Sequence, residues 1–429
     1  MPNTYDHPQT ILMTAYAVHP RKGSEDGMGW RFILEAARRN RVVAITRENN
    51  RPAIEEYLAQ HPVEGLTFAY FDLPKWARFW KRGSRGSSLY HWLWHAFVPA
   101  FVKKQGFQFD IAHHLNFHCD WTASFLWRLG KPTVWGPVGH HPMLPKDYLL
   151  ETGGWPAYFS EWLKWQFKAT LWNFDPFLAK GKVKMAAIIC MNRSAAQVLQ
   201  ISPGQYSIMP SVGTDKIEPR PKVGANRRFT VLFMGRFVAL KGVETVVRSF
   251  AQFFNQRPAA EQADLHLLMV GKGPEKDRLI DLAQSLGIAQ AIEFVDWLPH
   301  DQVGAIYRSA SVFFFPSHEG AGMVVAEAQA HGVPVLCYAN DGPGELVNPS
   351  GSIRVPYVTH QIAIEGFALQ LAVLFDNPKK RLQMAENAME YVEQCLDWEV
   401  KGDFLQRIYR KVDSRQPDHK HEHTLINTL

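Results

Sequence analysis

The sequence predicts two successive α/β domains, each built on a doubly wound parallel sheet. Its 429 residues exceed the size at which one hydrophobic core keeps growing, so two domains of about 200 residues are expected. Both halves repeat an apolar, β-branched strand, a glycine-bearing loop and a helix with apolar residues at helical spacing. No internal repeat or long low-complexity segment interrupts this order.

The composition is that of a globular protein, with 46% hydrophobic and 21% charged residues. A net charge of +6 suits anionic partners without naming one. The four cysteines lie far apart at no metal-ligand or redox spacing, which favours a reducing compartment. Neither a secretory signal nor a run of 18 apolar residues is evident, so the sequence predicts a cytoplasmic protein.

The chain opens with a buried-strand pattern at 10–18, a loop reaching Gly29, and a helix in which Trp30 and Ile33 begin the apolar spacing. A second strand pattern follows at 42–46. Gly29 therefore comes just past a strand end, where parallel sheets bind ligands. A flexible turn without a ligand is an equally open interpretation, because glycine serves any tight turn.

A basic and aromatic stretch follows the third strand, which is predicted at 66–73. Basic residues beside aromatic rings are typical of a helix lying on an anionic membrane. A helical pair with core aromatics and solvated lysines is the alternative, and no nucleic-acid-binding module is recognisable. The residues are Lys75, Trp76, Arg78, Phe79, Trp80, Lys81, Arg82, Arg85, Trp92, Trp94 and Phe97.

A strand predicted at 109–115 ends in His113 and His114, and His118 follows it. A helix is predicted near 120–129 and another strand at 133–138. Zinc binding is not expected here, because no recognised ligand spacing occurs and histidines at strand ends are more often hydrogen-bonded neutral groups.

The domain boundary is predicted just after Pro210, where the chain becomes polar and proline-bearing. The first domain then covers residues 1–212 together with a returning helix at 396–413. The second covers 213–395, and residues 414–429 are expected to be a disordered tail.

The second half begins with a strand at 230–234, and Arg236 and Lys241 occupy the loop before the next helix. Arginine can bind two phosphate oxygens at once and lysine adds a point charge, so the pair suits a diphosphate. The alternative is a pair of surface charges. Gly271 follows the strand at 265–270, but Lys276 stands where a dinucleotide fingerprint needs its third glycine.

The stretch around 313–335 predicts a strand at 312–315, a loop, a helix and a second strand at 335–338. Gly320 and Gly322 free the loop before a helix that begins at Met323. Glu319 in the loop and Glu327 in the helix can face one space, into which the amides of Gly322, Met323 and Val324 point. Amides suit a phosphate and carboxylates suit sugar hydroxyls, so a nucleotide sugar is the predicted ligand. The alternative to a ligand site is that one glutamate interacts favourably with the helix dipole and the other is solvated.

Glu319 and Glu327, with the AEAQAHGVPV that contains the second glutamate, resemble the paired-glutamate motif of the retaining glycosyltransferases of family 4. The resemblance implies a GT-B fold, with two Rossmann-like domains facing across a cleft, and sugar transfer with retention. It implies that Arg236 and Lys241 hold the donor diphosphate, that Glu319 binds the donor sugar, and that Glu327 holds the ribose.

The resemblance also extends to less specific positions. Gly29 is similar to the family's N-domain glycine loop, and Gly271 follows a strand of the donor domain. Trp297 and Leu298 correspond to its nucleobase wall. The family's histidine that reaches the donor sugar falls at Leu115 in this register, so His114 is assigned that role while His113 and His118 remain open.

The expected partners are a UDP- or GDP-sugar donor and a lipid-linked or saccharide acceptor, with no nucleic acid. No cofactor or divalent metal is expected, because basic side chains supply the charge. The cytoplasmic face of a membrane is the expected location if the basic stretch binds lipid. Two other functions stay open, a sugar-nucleotide hydrolase or epimerase on the same fold and a non-catalytic scaffold at a membrane assembly site.

Overall fold

The computed structural model of the chain describes residues 8–81, 86–115, 117, 119–216, 228–296, 298 and 300–413. They divide into two compact units. Unit one holds the described residues up to His140, then Gln166–Ser211, and those from Trp398 onward; unit two holds His141–Trp165 and those from Val212 to Asp397. The predicted tail at 414–429 lies outside the described residues, as do most of the predicted linker and His118.

Unit one is built on a parallel seven-stranded sheet whose strand order is β3-β2-β1-β4-β5-β6-β7. Its strands are rich in apolar residues that are buried because helices cover both faces of such a sheet. The strands are β1 (Thr10–Ala15), β2 (Arg41–Thr46), β3 (Leu66–Tyr70), β4 (Ile111–Leu115), β5 (Thr133–Val138), β6 (Ala187–Cys190) and β7 (Tyr206–Ile208).

Helices of the described residues alternate with these strands along the chain. They are α1 (Ser24–Ala37), α2 (Arg51–Gln60), α3 (Ser87–Gln105), α4 (Lys146–Phe174), α5 (Pro176–Lys184) and α6 (Arg193–Val198). Helix α4 is broken at Gly154, whose φ of 67° and ψ of −168° are not helical. One of the chain boundaries between the two units falls within α4.

Unit two is built on a parallel six-stranded sheet of order β10-β9-β8-β11-β12-β13. Its strands are β8 (Phe229–Met234), β9 (Leu265–Val270), β10 (Ile292–Val295), β11 (Val312–Phe315), β12 (Val335–Tyr338) and β13 (Ser352–Val355). Its further helices are α7 (Val243–Asn255), α8 (Ala259–Gln262), α9 (Lys276–Ser285), α10 (His300–Ser309), α11 (Met323–Ala330), α12 (His360–Asp376) and α13 (Pro378–Tyr391).

The last helix, α14 (Trp398–Val412), belongs to unit one and packs on α1. Trp398 meets Phe32 edge to face with ring centroids 5.4 Å apart. The hydroxyl of Tyr409 lies 2.6 Å from Nδ1 of His113. These buried contacts explain why the final helix is fixed to the first unit.

Each of the two sheets has a topological switch point. In unit one the strand order changes direction between β1 and β4, and in unit two between β8 and β11. In open α/β sheets ligands bind beyond the carboxyl ends of strands at such switch points. The loops after β8 and β11 carry the acidic and basic residues singled out in the sequence.

Besides the ends of some strands, three features differ from the sequence-based expectation. The helix expected at 120–129 is reduced to a short 3-10 turn, Leu126–Leu129. Residues 141–165, expected in the first domain, group with unit two. Gly29, expected in a loop, lies inside α1.

Among the described residues, no helix combines the length and apolar character needed to cross a membrane.

Candidate active site

The loops that follow β8 and β11 bring Lys241 and Glu319 together. Lys241 Nζ lies 2.5 Å from Glu319 Oε2, although 78 residues separate the two in sequence. Both side chains are largely buried, and the ammonium also lies 5.0 Å from the ring centroid of Phe315 at the end of β11. A charge-assisted contact of this length fixes both loops at the switch point of unit two.

Glycine makes this approach of the two loops feasible. Gly242, directly after Lys241, has a φ of +67°, and a Cβ there would lie 2.0 Å from the carbonyl oxygen of Pro316. Likewise a Cβ on Gly271 would lie 1.8 Å from the carbonyl oxygen of Gly235. A side chain at either position would separate the strand-end loops, so Gly271 has a packing role in the structure.

The side chain of Glu319 is largely buried, and one of its carboxylate oxygens lacks a hydrogen-bond partner among the described residues. Burial raises the pKa of its carboxyl group, and Lys241 opposes that rise. Its Oε1 has no hydrogen-bond partner among the described residues, whereas Oε2 accepts from Lys241. A buried acceptor without a partner is costly, so Oε1 is suited to accept a hydrogen bond from a ligand hydroxyl.

The loop around Glu319 is held by backbone contacts. The Gly320 amide donates to Nδ1 of His141 at 2.8 Å, and Asn340 donates to the carbonyl of Ser317 at 2.8 Å. Helix α11 begins beyond this loop at Met323, and its N-cap residue Gly322 makes no side-chain capping bond. The positive end of the α11 dipole therefore lies beside Glu319, whose Oε1 is 3.4 Å from where a Gly322 Cβ would be.

The second glutamate is oriented by a tyrosine. Glu327 Oε2 accepts a hydrogen bond from the hydroxyl of Tyr307 at 3.0 Å. Tyr307 is fully buried on α10, and burial followed by the Glu327 charge raises the pKa of its phenol far above normal. The phenol thus stays protonated and donates its hydrogen bond to Glu327.

For the other residues predicted to bind the donor, the structure gives the position in the fold and the exposure. Arg236 is exposed on the loop after β8. Val324 lies in the first turn of α11, and Leu298 is half-buried before α10. Trp297 lies outside the described residues.

Unit one has its own cavity at the β1–β4 switch point, with a volume of about 210 Å³. Its polar lining includes Tyr16 after β1, Glu25 in α1, and Ser87 and His91 of α3. Burial raises the pKa of Glu25 and lowers that of His91 to about 4, so the imidazole is neutral near pH 7. Hydroxyl, carboxyl and imidazole groups of this kind suit a ligand that carries hydroxyls.

The histidine predicted to face the donor does not reach an open surface. His114 is fully buried on β4, with its ring centroid 4.1 Å from that of His95 on α3. His113 points to the other face of the sheet and contacts Tyr409 and the carbonyl oxygen of Gly136. The structure therefore does not support His114 as a donor contact, because helices cover both faces of β4.

Gly29 is also placed differently from its predicted role. It is a buried residue of α1, and a Cβ there would lie 2.3 Å from the carbonyl oxygen of Ala17. The glycine lets α1 approach the loop after β1, which is a packing function. The exposed part of that loop precedes Ser24.

The basic aromatic stretch at 75–97 is divided between core and surface. Trp94 is fully buried and donates to the carbonyl of Phe71 at 2.7 Å. Trp76 and Phe79, by contrast, are 78% and 75% exposed. Part of the stretch is therefore core, as the second interpretation has it, and membrane binding by the exposed part stays a prediction.

Sequence reasoning missed several residues that shape these sites. His141 and Tyr307 are brought to the glutamates by long-range packing, and no local motif marks them. Tyr16 and His91 line the unit-one cavity from separate elements. No group of three or more histidine, cysteine, aspartate or glutamate residues with metal-binding geometry occurs in the part of the chain that the structure describes.

Part of the chain matches a known family, and longer stretches match known proteins. Residues 215–391 match the family described as glycosyl transferases group 1. A D-inositol 3-phosphate glycosyltransferase of Corynebacterium efficiens is 25% identical over 75% of this chain and 76% of its own length. A protein of the same name from Corynebacterium aurimucosum is 28% identical over 50% of this chain and 52% of its own length. The matches thus span about half the length of several curated relatives.

Solved structures resemble the whole chain. Sucrose-phosphate synthase from Thermosynechococcus elongatus has a TM-score of 0.62 at 19% identity, covering 95% of this chain and 100% of the other. Anabaena HepE in complex with UDP has a TM-score of 0.61 at 16% identity, covering 94% and 99%. The predicted fold is confirmed, since both sheets are parallel and doubly wound and these neighbours have the GT-B fold.

Proposed function

We propose that the protein is a retaining glycosyltransferase, a proposal that starts from the match of residues 215–391 to the family described as glycosyl transferases group 1. It moves a sugar from a nucleotide diphosphate sugar to an acceptor hydroxyl in the synthesis of a cell-surface polysaccharide or glycolipid. The observation that carries the proposal is the contact between Lys241 and Glu319 at the switch point of unit two.

The donor diphosphate is held by Arg236, Lys241 and the first turn of α11. Breaking the glycosyl–phosphate bond leaves negative charge on the diphosphate, and cations fixed near that charge lower the barrier. Lys241 is already fixed by Glu319 and Phe315, so it needs little reorganisation when the donor binds. These side chains supply charge that a divalent metal supplies in other enzymes, and transfer is expected to persist in EDTA.

Glu319 acts on the sugar. Its Oε1 accepts from a donor hydroxyl, and the carboxylate stabilises positive charge that develops at the anomeric carbon as the bond breaks. Glu327, oriented by Tyr307, accepts from the ribose hydroxyls. The departing phosphate takes the proton of the acceptor hydroxyl, which keeps attack and departure on one face and so retains the anomeric configuration.

The protein works at an anionic membrane surface on the cytoplasmic side, where a lipid-linked acceptor resides. Support comes from exposed apolar side chains beside basic ones, Phe159 and Leu163 next to Lys164 on α4 and Trp76 next to Lys75 in unit one. Changing Phe159 and Leu163 to serine should reduce sedimentation with phosphatidylglycerol vesicles. The same change at Leu382, 46% exposed on α13, should not. Equal sedimentation of all variants would remove the membrane from the proposal.

The activity is tested by supplying a panel of UDP- and GDP-sugars with mixed saccharide and lipid-phosphate acceptors. We expect one donor class to give a glycosylated product with the anomeric configuration of the donor, read by nuclear magnetic resonance. Free sugar as the only product would instead identify a hydrolase, and a changed sugar nucleotide would identify an epimerase. Donor binding without turnover of any kind would favour the scaffold.

A further inference from the structure

Unit one has a second and larger cavity, whose volume is about 420 Å³. It is lined by Arg47, Lys75, Arg78, Phe79, Lys81 and Tyr90. No acidic residue is among the described residues that line it. Four of the six lining side chains are cations, so the cavity is strongly electropositive.

One nearby carboxylate offsets only part of this charge. Asp72 is 3% exposed, accepts from the hydroxyl of Tyr90 at 2.5 Å, and lies 3.2 Å from Nη1 of Arg78 and 3.5 Å from Nε of Arg47. A single carboxylate cannot neutralise four cations, and three positive charges remain. Burial and the neighbouring Arg47 lower the pKa of Lys81, as expected where like charges are crowded.

Strand ends and aromatic rings fix the position of the cationic side chains. Arg47 follows β2 and Asp72 follows β3, so both stand at the carboxyl edge of the sheet. The Arg47 guanidinium lies 4.6 Å from the ring centroid of Tyr16 and is only 17% exposed. Lys81 Nζ lies 5.2 Å from the ring centroid of Tyr90. Bringing these cations together is unfavourable unless an anion joins them.

The larger cavity adjoins the 210 Å³ cavity at the β1–β4 switch point. Tyr16 lines the smaller one and Tyr90 the larger, and their ring centroids are 6.4 Å apart. One ligand can therefore place hydroxyls in the smaller cavity and an anionic group in the larger.

We infer that the 420 Å³ cavity binds a phosphate group of the acceptor, so that the acceptor is a phosphorylated molecule. That the phosphorylated ligand is the acceptor rests on the proposed function. That the cavity binds a phosphate group rests on the cavity alone. Arginine binds phosphate oxygens in pairs and lysine adds charge, which suits a dianion better than a carboxylate. The phosphate can belong to a soluble sugar phosphate or to a lipid-linked one.

The test uses the full chain saturated with UDP or GDP, so that the site in unit two is occupied. Glycerol 1-phosphate is titrated into it by calorimetry, and vesicles of phosphatidylcholine with phosphatidic acid are tested by sedimentation. The variants are Arg78→Gln and Lys81→Gln, and the control is Lys104→Gln, an exposed lysine in the last turn of α3. We expect each cavity variant to weaken binding about tenfold or more and the control to leave it unchanged, since a lost charged hydrogen bond costs about 1.5–3 kcal/mol.

The outcomes separate the sources and the two proposals. If the cavity variants lose binding of glycerol 1-phosphate alone, the ligand is soluble. If they lose binding to the vesicles, the ligand is a lipid phosphate. Either result supports the inference. Binding that is absent, or equal in all four proteins, overturns it. If UDP and GDP fail to bind, the proposed function fails, and the phosphate titration is repeated on Lys241→Gln without nucleotide.

Discussion

Glu319 is the residue on which the proposed chemistry depends, because one of its oxygens contacts Lys241 and the other has no partner in the described part of the chain. Replacing it with glutamine keeps the size and a hydrogen-bonding group but removes the charge. We expect Glu319→Gln to lower kcat by about 10²–10³, the scale of losing one stabilising group in an active site. Donor binding should fall less.

The matched control for that variant is Glu365→Gln, a glutamate on α12 that contacts Gln361 at the surface. Its kcat should stay within a factor of two or so of wild type, since surface substitutions usually change little. Equal rates for Glu319→Gln and wild type would exclude Glu319 from the reaction.

His318, next to Glu319, links the site to pH through stability. Burial, and then the neighbouring His360, lowers its pKa to about 3. Between the unfolded value near 6.5 and about 3, the unfolded chain binds a proton there and the folded chain does not. Stability from this group is therefore complete above about pH 6.5 and is lost as the pH falls.

His318→Phe removes that proton and keeps a ring against Tyr338, whose centroid is 4.7 Å away. The free energy of unfolding of the variant relative to wild type should rise by about 1.4 kcal/mol for each pH unit below 6.5. Urea unfolding between pH 7 and pH 5 measures this. The exposed His61→Phe should show a pH dependence parallel to wild type, and a parallel curve for His318→Phe would contradict the assignment.

The positions of site residues in the fold were predictable from sequence where local order decides placement, whereas their roles stay predictions. Arg236, Lys241 and Glu319 follow strands whose carboxyl ends meet, so their loops could be foreseen. The burial of His114 could not be predicted. Adjacent strand residues face opposite sides of the sheet, and only the packing of α3 and α14 shows that both sides of β4 are covered.

At the scale of elements, two loops are packed together by Gly242. Alanine there must adopt a φ of +67° and meet the Pro316 carbonyl at 2.0 Å. Gly287 is the matched control, since its φ is +71° and no atom lies within 4 Å of where its Cβ would be. Gly287→Ala should cost about 1–2 kcal/mol for the left-handed conformation alone.

Gly242→Ala should cost clearly more than its control, several kcal/mol, because a loop must also move. It should weaken donor binding as well, since Lys241 precedes the glycine. Urea unfolding and nucleotide titration of both variants provide the comparison. Equal losses of stability would mean that the loops do not need this close approach.

Strand positions were the best predicted elements. Val312–Phe315 and Val335–Tyr338 have the predicted bounds, because β-branched and aromatic runs between proline and glycine leave little choice. The placement of 141–165 was not predictable, since it depends on Tyr148 donating to the carbonyl of Ala239 and Asp147 accepting from the His360 amide. No local pattern encodes such distant partners.

For the whole molecule, the sequence predicted two parallel-sheet units because a chain of this length with repeated strand–loop–helix order has few other solutions. The order of strands in each sheet was not specified, yet it creates the switch points that collect the charged loops. The proposed function depends on both units, with the proposed donor site in unit two and an electropositive cavity in unit one.

The central claim is that unit two grips a diphosphate, and calorimetry of UDP against UMP, and of GDP against GMP, tests it most directly. We expect the diphosphate of one base to bind about tenfold or more tightly than its monophosphate, with Lys241→Gln narrowing that ratio and Lys380→Gln, an exposed lysine of α13, preserving it. Equal affinity for monophosphate and diphosphate, or no binding of any of the four nucleotides, would contradict the account.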